Sequence, residues 1–236
     1  KEFAVWSNSK YAIALGNGTQ ALDGALKALD VGVGNEVIVT SRTHISSVSS
    51  IVNTGAIPIF ADVDLNTQNI TPASIRSMIT RKTKAVIVVS LQGLPVDIDP
   101  IMKLAKKHKF YVIEDNAQAI GATYTSKNGT KTKAGVISHI GSTSFFPSKN
   151  LGCYGDGGAI FTNNNDLAHT IRGIVNHGMY KRYHHDVVGV NSRLDSFQAA
   201  VLRAKLPLLD RYNSARRNSA KLYTQHLSEN ENVVTP

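Results

Sequence analysis

A lysine and an aspartate stand out in this sequence because their surroundings suit covalent amine chemistry. The apolar run Phe110–Asp115 is typical of a short strand, and it ends in a carboxylate. Lys149 follows later, in the glycine-rich turn Pro147–Gly158. A lysine amine can form a Schiff base with the aldehyde of pyridoxal phosphate, while an aspartate keeps the ring nitrogen of that cofactor protonated. By composition alone, however, a lysine in such a turn is more often a solvated loop charge.

Both residues are predicted to lie near one edge of a sheet. Short apolar runs alternate with segments of helical periodicity from Tyr11–Leu15 to Gly158–Thr162. This alternation predicts an α/β fold, a three-layer sandwich in which helices cover both faces of a mostly parallel central sheet. Open α/β sheets bind ligands at the carboxyl ends of their strands, which is where Asp115 is predicted to lie.

The turn Gly16–Ala21 is a second candidate binding element. It opens a helix, and a helix start presents unpaired N–H groups and the positive end of the dipole, so it suits a phosphate. The same residues match the G-x-G-x-x-A fingerprint of dinucleotide-binding proteins, which also requires an acidic residue at the end of the next strand. Glu36 opens that strand instead. Arg42, just beyond it, could meet a 2′-phosphate, so an NADP-dependent oxidoreductase remains an alternative.

Composition narrows the classes of protein. The chain has 236 residues, of which 42% are hydrophobic, and this favours a substantial globular domain. The net charge of +9 favours anionic partners. The sequence lacks the interleaved aromatic and basic residues that are typical of nucleic-acid binding, so a nucleic-acid partner is not expected. Cys153 is the single cysteine, which excludes an intrachain disulfide and fits a reducing compartment. No apolar run approaches the roughly 20 residues of a membrane span, so a cytoplasmic protein without a membrane partner is expected.

Four segments, in the same order along the chain, carry a family resemblance. They are Gly16–Leu22, Glu114–Ala122, Ser144–Gly158 and Gly189–Asp195. They closely resemble the DegT/StrS family of pyridoxal-phosphate-dependent nucleotide-sugar aminotransferases. The resemblance implies the large domain of a fold-type-I transferase over residues 1–206. Residues 207–236 would then be a connecting helix toward a small C-terminal domain that is largely absent from this chain.

The resemblance also implies roles for individual residues. Lys149 would bind the cofactor and move a proton, and Asp115 would stabilise the protonated ring. Family members that dehydrate sugars carry histidine in place of this lysine, so Lys149 favours transamination. The other positions that match cofactor contacts are Gly18, Thr19 and Ser144 for the phosphate, His44 for stacking on the ring, Gln118 for the ring oxygen, and Asn191 for the phosphate in the neighbouring subunit.

The polar segment His177–Asp186 is the remaining candidate. It lacks periodicity and is predicted to be a functional or a mobile loop. Lys181 and Arg182 could meet the diphosphate of a sugar nucleotide, although a solvated loop is an equal alternative. His184 and His185 are further substrate candidates, and their spacing is not that of zinc ligands, so no metal is expected.

Together these observations predict an enzyme that moves an amino group, with glutamate as the expected donor, to a keto-deoxysugar nucleotide. The resemblance places that reaction in amino-sugar or cell-surface polysaccharide biosynthesis, such as the O-antigen of lipopolysaccharide. It also implies a homodimer with shared active sites. Two alternatives stay open: the NADP-dependent oxidoreductase, and a non-catalytic regulator with the same fold.

Overall fold

A seven-stranded sheet forms the centre of the structure, a computed structural model that describes residues 1–235. The strands of the whole chain are β1 (Tyr11–Leu15), β2 (Glu36–Val39), β3 (Ile57–Phe60), β4 (Thr83–Val89), β5 (Tyr111–Asp115), β6 (Thr123–Thr125), β7 (Lys131–Lys133), β8 (Ile140–Ser144), β9 (Gly158–Thr162), β10 (Met179–Lys181) and β11 (His184–His185). The order across the sheet is β3-β2-β4-β5-β8-β9-β1. Strand β9 runs antiparallel to both of its neighbours, and the other adjacent pairs are parallel.

The central strands are apolar because both of their faces are covered. In β4 the segment Ala85–Val89 is buried throughout, and most of β5 and β8 is buried as well. A near-continuous run of β-branched residues is typical of parallel strands between two helical layers. The register pairs Val89 with Asp115, and Asp115 in turn with Ser142, so the three strands end close together at one edge.

Helices cover both faces of the sheet. They are α1 (Glu2–Ser7), α2 (Gly18–Ala28), α3 (Ser46–Asn53), α4 (Pro72–Met78), α5 (Ile98–His108), α6 (Asn165–Ile174), α7 (Ser196–Lys205) and α8 (Leu209–Leu227). Buried side chains of α2, α3 and α6 join the sheet in one apolar cluster, and those of α4 and α5 join its opposite face in another. The predicted three-layer α/β fold is therefore confirmed.

A third apolar cluster lies at the end of the sheet that carries β9 and β1. It contains Phe145, Leu151 and Cys153 from the turn after β8, together with Leu202 of α7 and Leu209 of α8. Helices α7 and α8 are separated by a short 3-10 turn at Leu206–Leu208, where the sequence has a proline. The division into domains 1–206 and 207–236 stays a prediction, and Leu209 packs fully buried against the larger part.

Two short hairpins were not predicted. Strands β6 and β7 pair with each other, as do β10 and β11, and all four are only two or three residues long. The second hairpin lies within His177–Asp186, where the sequence predicts an irregular loop. In the part of the chain that the structure describes, no helix is both long enough and apolar enough to cross a membrane.

Candidate active site

A cavity of about 560 Å³ lies at the carboxyl edge of β5 and β8. Lys149 and Asp115, the two residues singled out from the sequence, both line it. Other predicted residues on its wall are Gly18, Thr19, His44 and Ser144. The wall also contains residues that the sequence did not single out, namely Asn17, Gln20, Leu22, Ser46, Ala117, Phe146, Ser148 and Asp156. The structure thus brings together the strand-end acid, the turn lysine and the glycine turn at the start of α2.

Asp115 ends β5 with its side chain buried and held by two donors. Its Oδ2 accepts a hydrogen bond from the Ser47 hydroxyl at 2.9 Å, and its Oδ1 accepts one from the Ala117 N–H at 3.2 Å. Burial raises the pKa of the Asp115 carboxyl, while the Ala117 amide, the Ser47 hydroxyl and the charge of Lys149 act in the opposite direction. A carboxylate of this kind attracts a cation or a protonated ring nitrogen strongly, because water competes poorly for it.

Ser47 is a residue of the candidate site that the sequence did not reveal. It lies fully buried in the first turn of α3, and the Thr43 Oγ1 lies 2.9 Å from its Oγ. Since the single Ser47 hydroxyl hydrogen points to Asp115, Thr43 is the donor in this second contact. A serine in an ordinary helical sequence gives no sign that its partner lies on a strand 68 positions away.

Lys149 lies in a tight turn that leaves its amine accessible from the cavity. Its backbone N–H donates to the Phe146 carbonyl at 2.8 Å, and its side chain is half-buried. Across residues 1–235, the one ion pair within 4.0 Å joins Arg203 to Glu2, so no carboxylate holds the lysine amine at that range. The amine therefore remains available to react with a ligand.

The start of α2 forms another part of the cavity wall and approaches β8 closely. The Asn17 side chain caps the helix by accepting a hydrogen bond from the Gln20 N–H at 2.8 Å. A Cβ at Gly18 would lie 2.8 Å from the Ser144 Cβ, so only glycine allows this approach. The helix start and the Ser144 hydroxyl thus face the same space, which is the arrangement expected for an anion site.

Ser46 connects the start of α2 to His44. Its Oγ accepts a hydrogen bond from Thr19 Oγ1 at 2.9 Å and lies 2.6 Å from His44 Nδ1. The Ser46 N–H also donates to Nδ1, so in the neutral ring the proton is on Nε2. His44 is exposed at the cavity wall, and its stacking on a ring stays a prediction.

Gln118 and Asn191 do not line the cavity. The Gln118 Oε1 accepts a hydrogen bond from the Gln92 N–H at 2.7 Å. Asn191 is exposed, pairs with Asn176 in an isolated bridge, and lines a separate surface cleft with Arg193. Its neighbour Ser192 is buried and binds back to the Gly16 N–H at 3.2 Å, so Asn191 lies close to the glycine turn but faces outward.

The four substrate candidates lie on the exposed β10–β11 hairpin. The Arg182 guanidinium lies over the Tyr183 ring at 5.0 Å, and His185 Nδ1 lies 2.8 Å from the His177 carbonyl oxygen. Lys181 and His184 are exposed as well. None of the four lines the cavity around Lys149. Among the residues described, no group of three or more His, Cys, Asp or Glu side chains is arranged to hold a metal ion.

A comparison with protein families matches the whole chain. The model for the DegT/DnrJ/EryC1/StrS aminotransferase family covers residues 1–236. The chain belongs to this family. The resemblance carried by the four sequence segments is therefore confirmed, and the fold is that of the large domain of fold-type-I transferases.

Individual family members support this placement. The chain is 47% identical to a UDP-N-acetyl-3-dehydro-alpha-D-glucosamine 3-aminotransferase from Acidithiobacillus ferrooxidans, over 96% of this chain and 60% of that protein. It is 46% identical to a "pleiotropic regulatory protein" from Geobacillus stearothermophilus, over 100% of this chain and 62% of that protein. In structure it resembles an aminotransferase from Psychrobacter cryohalolentis, with a TM-score of 0.91, 44% identity, and coverage of 97% of this chain and 60% of that one. The chain thus spans about 60% of the length of these family members.

Proposed function

We propose that the protein is a pyridoxal-phosphate-dependent aminotransferase that acts on a keto-deoxysugar nucleotide. The observation that carries the proposal is the shared cavity, in which the Lys149 amine, the buried Asp115 carboxylate and the start of α2 face one ligand-sized space. The family name and the aminotransferase names of several family members support the same reaction class. Because the chain spans about 60% of those proteins, the activity is proposed for the whole protein.

The residues present fit the chemistry of this cofactor. Its aldehyde needs an unpaired amine, its ring nitrogen needs an anion, and its phosphate needs several donors. Lys149 provides the amine, and Asp115 provides a carboxylate whose position is fixed by Ser47 and Ala117. The close approach of Gly18 to Ser144 leaves the first N–H groups of α2 beside a hydroxyl.

When bound, pyridoxal phosphate supplies an electron sink for the bond cleavages of transamination. Asp115 would hold the proton on the ring nitrogen, with its carboxylate kept in place by the Ser47 hydroxyl. Gly18, Thr19 and Ser144 would hold the phosphate. Lys149 would hold the cofactor through Nζ, and the same Nζ, when free, would be the base that takes up the proton at the donor's α-carbon.

Residues outside the cavity are proposed to act in a larger assembly. Asn191 is exposed near the glycine turn, so it could reach the phosphate in a neighbouring subunit, and a homodimer with shared active sites is proposed on this basis. Lys181, Arg182, His184 and His185 project from an exposed hairpin and are proposed to bind the sugar nucleotide. The Gln118 Oε1 accepts from the Gln92 N–H, so its Nε2 is the group proposed to donate to the cofactor's ring oxygen.

The substrate class follows from the names of family members. Several act on UDP- or dTDP-linked sugars or are named GDP-perosamine synthase. We therefore propose a keto-sugar nucleotide as amino acceptor and glutamate as donor. A place in cell-surface polysaccharide synthesis, including O-antigen, and a cytoplasmic location are part of the same proposal.

The NADP-dependent alternative has no support in the geometry or in the comparisons. Glu36 begins β2 and so lies at the opposite edge of the sheet from the carboxyl ends of the strands, away from a ligand at Gly16–Ala21. Arg42 is exposed and does not line the cavity. The glycine turn instead shares its cavity with Lys149 and Asp115.

Borohydride reduction of the purified complete protein tests the proposal. Aminotransferase chemistry predicts a yellow chromophore that reduction fixes covalently to the peptide containing Lys149. The Lys149→Arg variant should lose this adduct, and Lys127→Arg, an exposed lysine on the β6–β7 turn, should keep it. Nicotinamide fluorescence on titration would instead support the oxidoreductase. The absence of both signals would support the regulator. A panel of keto-sugar nucleotides, assayed with glutamate, would then identify the acceptor.

A further inference from the structure

The turn that carries Lys149 is held from outside by the two C-terminal helices. The Tyr154 N–H donates to Gln198 Oε1 of α7 at 2.7 Å. The Lys205 ammonium, also on α7, donates to the Gly152 carbonyl at 2.7 Å and lies 4.6 Å from the centre of the Tyr154 ring. These contacts fix the end of the turn that leads into β9.

Next to Lys149 the turn is bonded to a buried amide, that of Asn213 on α8. The Asn213 Oδ1 accepts a hydrogen bond from Asn150 Nδ2 at 2.7 Å. The Asn213 Nδ2 donates to the Ile120 carbonyl at 3.0 Å. Asn213 is only 7% exposed, so neither bond is readily replaced by water.

Asn213 therefore connects the segments that follow Asp115 and Ser144. Asn150 is the residue after Lys149, and Ile120 lies in the turn after Asp115. Gly121, with φ of +84°, makes room for this contact, because a Cβ there would collide with the Asn213 amide nitrogen. The sheet ladder pairs Asp115 with Ser142, but β8 ends at Ser144, before Lys149. The ladder thus fixes where the two segments begin, and Asn213 joins them farther along the chain through Asn150 and Ile120.

We propose that Asn213 is a positioning residue for the reaction, which sets the separation of the Lys149 amine from the Asp115 carboxylate. The proposal rests on the proposed function, since these two groups must face opposite ends of one ring. Asn213 lies outside the cavity wall, so it acts only through Asn150 and the backbone.

The physical reason is the dependence of covalent capture on orientation. An amine that must meet an aldehyde held by other residues reacts efficiently only when its approach is fixed beforehand. Without Asn213, the turn would keep its contacts to α7 and the apolar packing of Leu151, but it would lose the hydrogen bond that holds Asn150 beside Lys149. The amine would then sample a wider volume, and productive approach would become rarer.

The test compares Asn213→Ala with Asn218→Ala in the complete protein. Both changes shorten an asparagine on α8, but Asn218 is exposed. The first readout is hydrogen exchange of the cofactor-free protein over residues 149–155, where the N–H groups of Lys149 and Cys153 donate to the carbonyls of Phe146 and Phe145. The second is the rate at which added pyridoxal phosphate becomes fixable to Lys149 by borohydride.

Asn213→Ala is expected to speed exchange in residues 149–155 and to slow capture about tenfold, which corresponds to about 1.4 kcal/mol. Asn218→Ala should change neither quantity. If Asn213→Ala does not fold, as judged by circular dichroism, Asn150→Ala breaks the same bond from the other side and decides the question. Wild-type exchange and capture in the variant that folds would overturn the proposal. If the wild-type protein captures no cofactor while exchange still responds to Asn213, the proposed function fails and the anchoring by Asn213 stands.

Discussion

Replacing Ser47 with alanine probes how the buried Asp115 carboxylate is kept in its ionised form. The substitution removes the hydroxyl that donates to Asp115 Oδ2 at 2.9 Å and leaves Thr43 without its partner. Alanine fits the space of serine without a steric clash and favours a helix, so loss of the hydrogen bond dominates the effect. The Ala117 N–H would remain as a donor to the carboxylate.

The loss of unfolding free energy expected for Ser47→Ala depends on the charge of Asp115. A hydrogen bond to a charged group contributes about 1.5–3 kcal/mol, and one between neutral groups contributes about 0.5–1.5 kcal/mol. Ser47→Ala should therefore reduce the free energy of unfolding by the larger amount when Asp115 is ionised. When the carboxyl is protonated, the smaller amount applies.

The sign of the pH dependence follows from the raised pKa of Asp115. In the unfolded chain this carboxyl titrates near its ordinary value of 3.8, and burial raises its pKa in the folded protein. The folded state thus binds the proton more tightly, so this group's contribution to stability is greatest below 3.8 and is lost as pH rises through the raised value. Loss of the Ser47 donor raises that pKa further, because the hydroxyl favours the ionised form. The stability difference between wild type and variant should therefore grow with pH.

Urea denaturation of the cofactor-free protein at several pH values measures this difference. Ser50→Ala is the matched control, since Ser50 is equally buried on α3 but donates only to the Ser47 carbonyl, at 3.3 Å. Its effect should not vary with pH. Equal losses for the two variants at every pH would refute the argument that Ser47 acts on the charge of Asp115.

Two further predictions concern the anion site and the C-terminal helix. Gly18→Ala should weaken binding of inorganic phosphate at least about tenfold, because the alanine Cβ would lie 2.8 Å from the Ser144 Cβ. Thermal shift with added phosphate measures this. Gly32→Ala, whose Cβ would lie 3.7 Å from the nearest atom, is the control and should have no effect. Leu209→Ala should lower the free energy of unfolding by about 2–5 kcal/mol, since the side chain is fully buried, whereas Leu222→Ala, at 56% exposed, should change it by less than about 0.5 kcal/mol in the same urea experiment.

The sequence predicted the strands and helices that have strong apolar patterns. Thr71 caps α4 and Pro72 follows it at the helix start, which is a boundary of the kind that a sequence can reveal because capping chemistry is local. The hairpin strands were missed because they are only two or three residues long; Thr123–Thr125 and Lys131–Lys133 are too short to show a periodic pattern. Their pairing depends on neighbours that a linear pattern does not reveal.

Some residues of the candidate site could likewise be predicted from the sequence, and others could not. Lys149, Asp115 and Gly18 lie in segments whose residue sequences resemble motifs of the family, so they could be found from the sequence. Ser47 and Asn213 could not, because each is a common polar residue in a helix whose partner lies far away in the chain. Only the fold shows that the first meets a buried acid and the second joins two turns.

The reversed direction of β9 has a consequence for how the position of Lys149 can change during evolution. Because β9 returns beside β8, with Ser144 paired to Gly158, the segment between them is the tip of a hairpin and not a crossover. The tip is packed against the core, because Leu151 and Cys153 within it are buried. A change of loop length that keeps these buried contacts would therefore alter the reach of the amine and leave the register of β8 and β9 as it is.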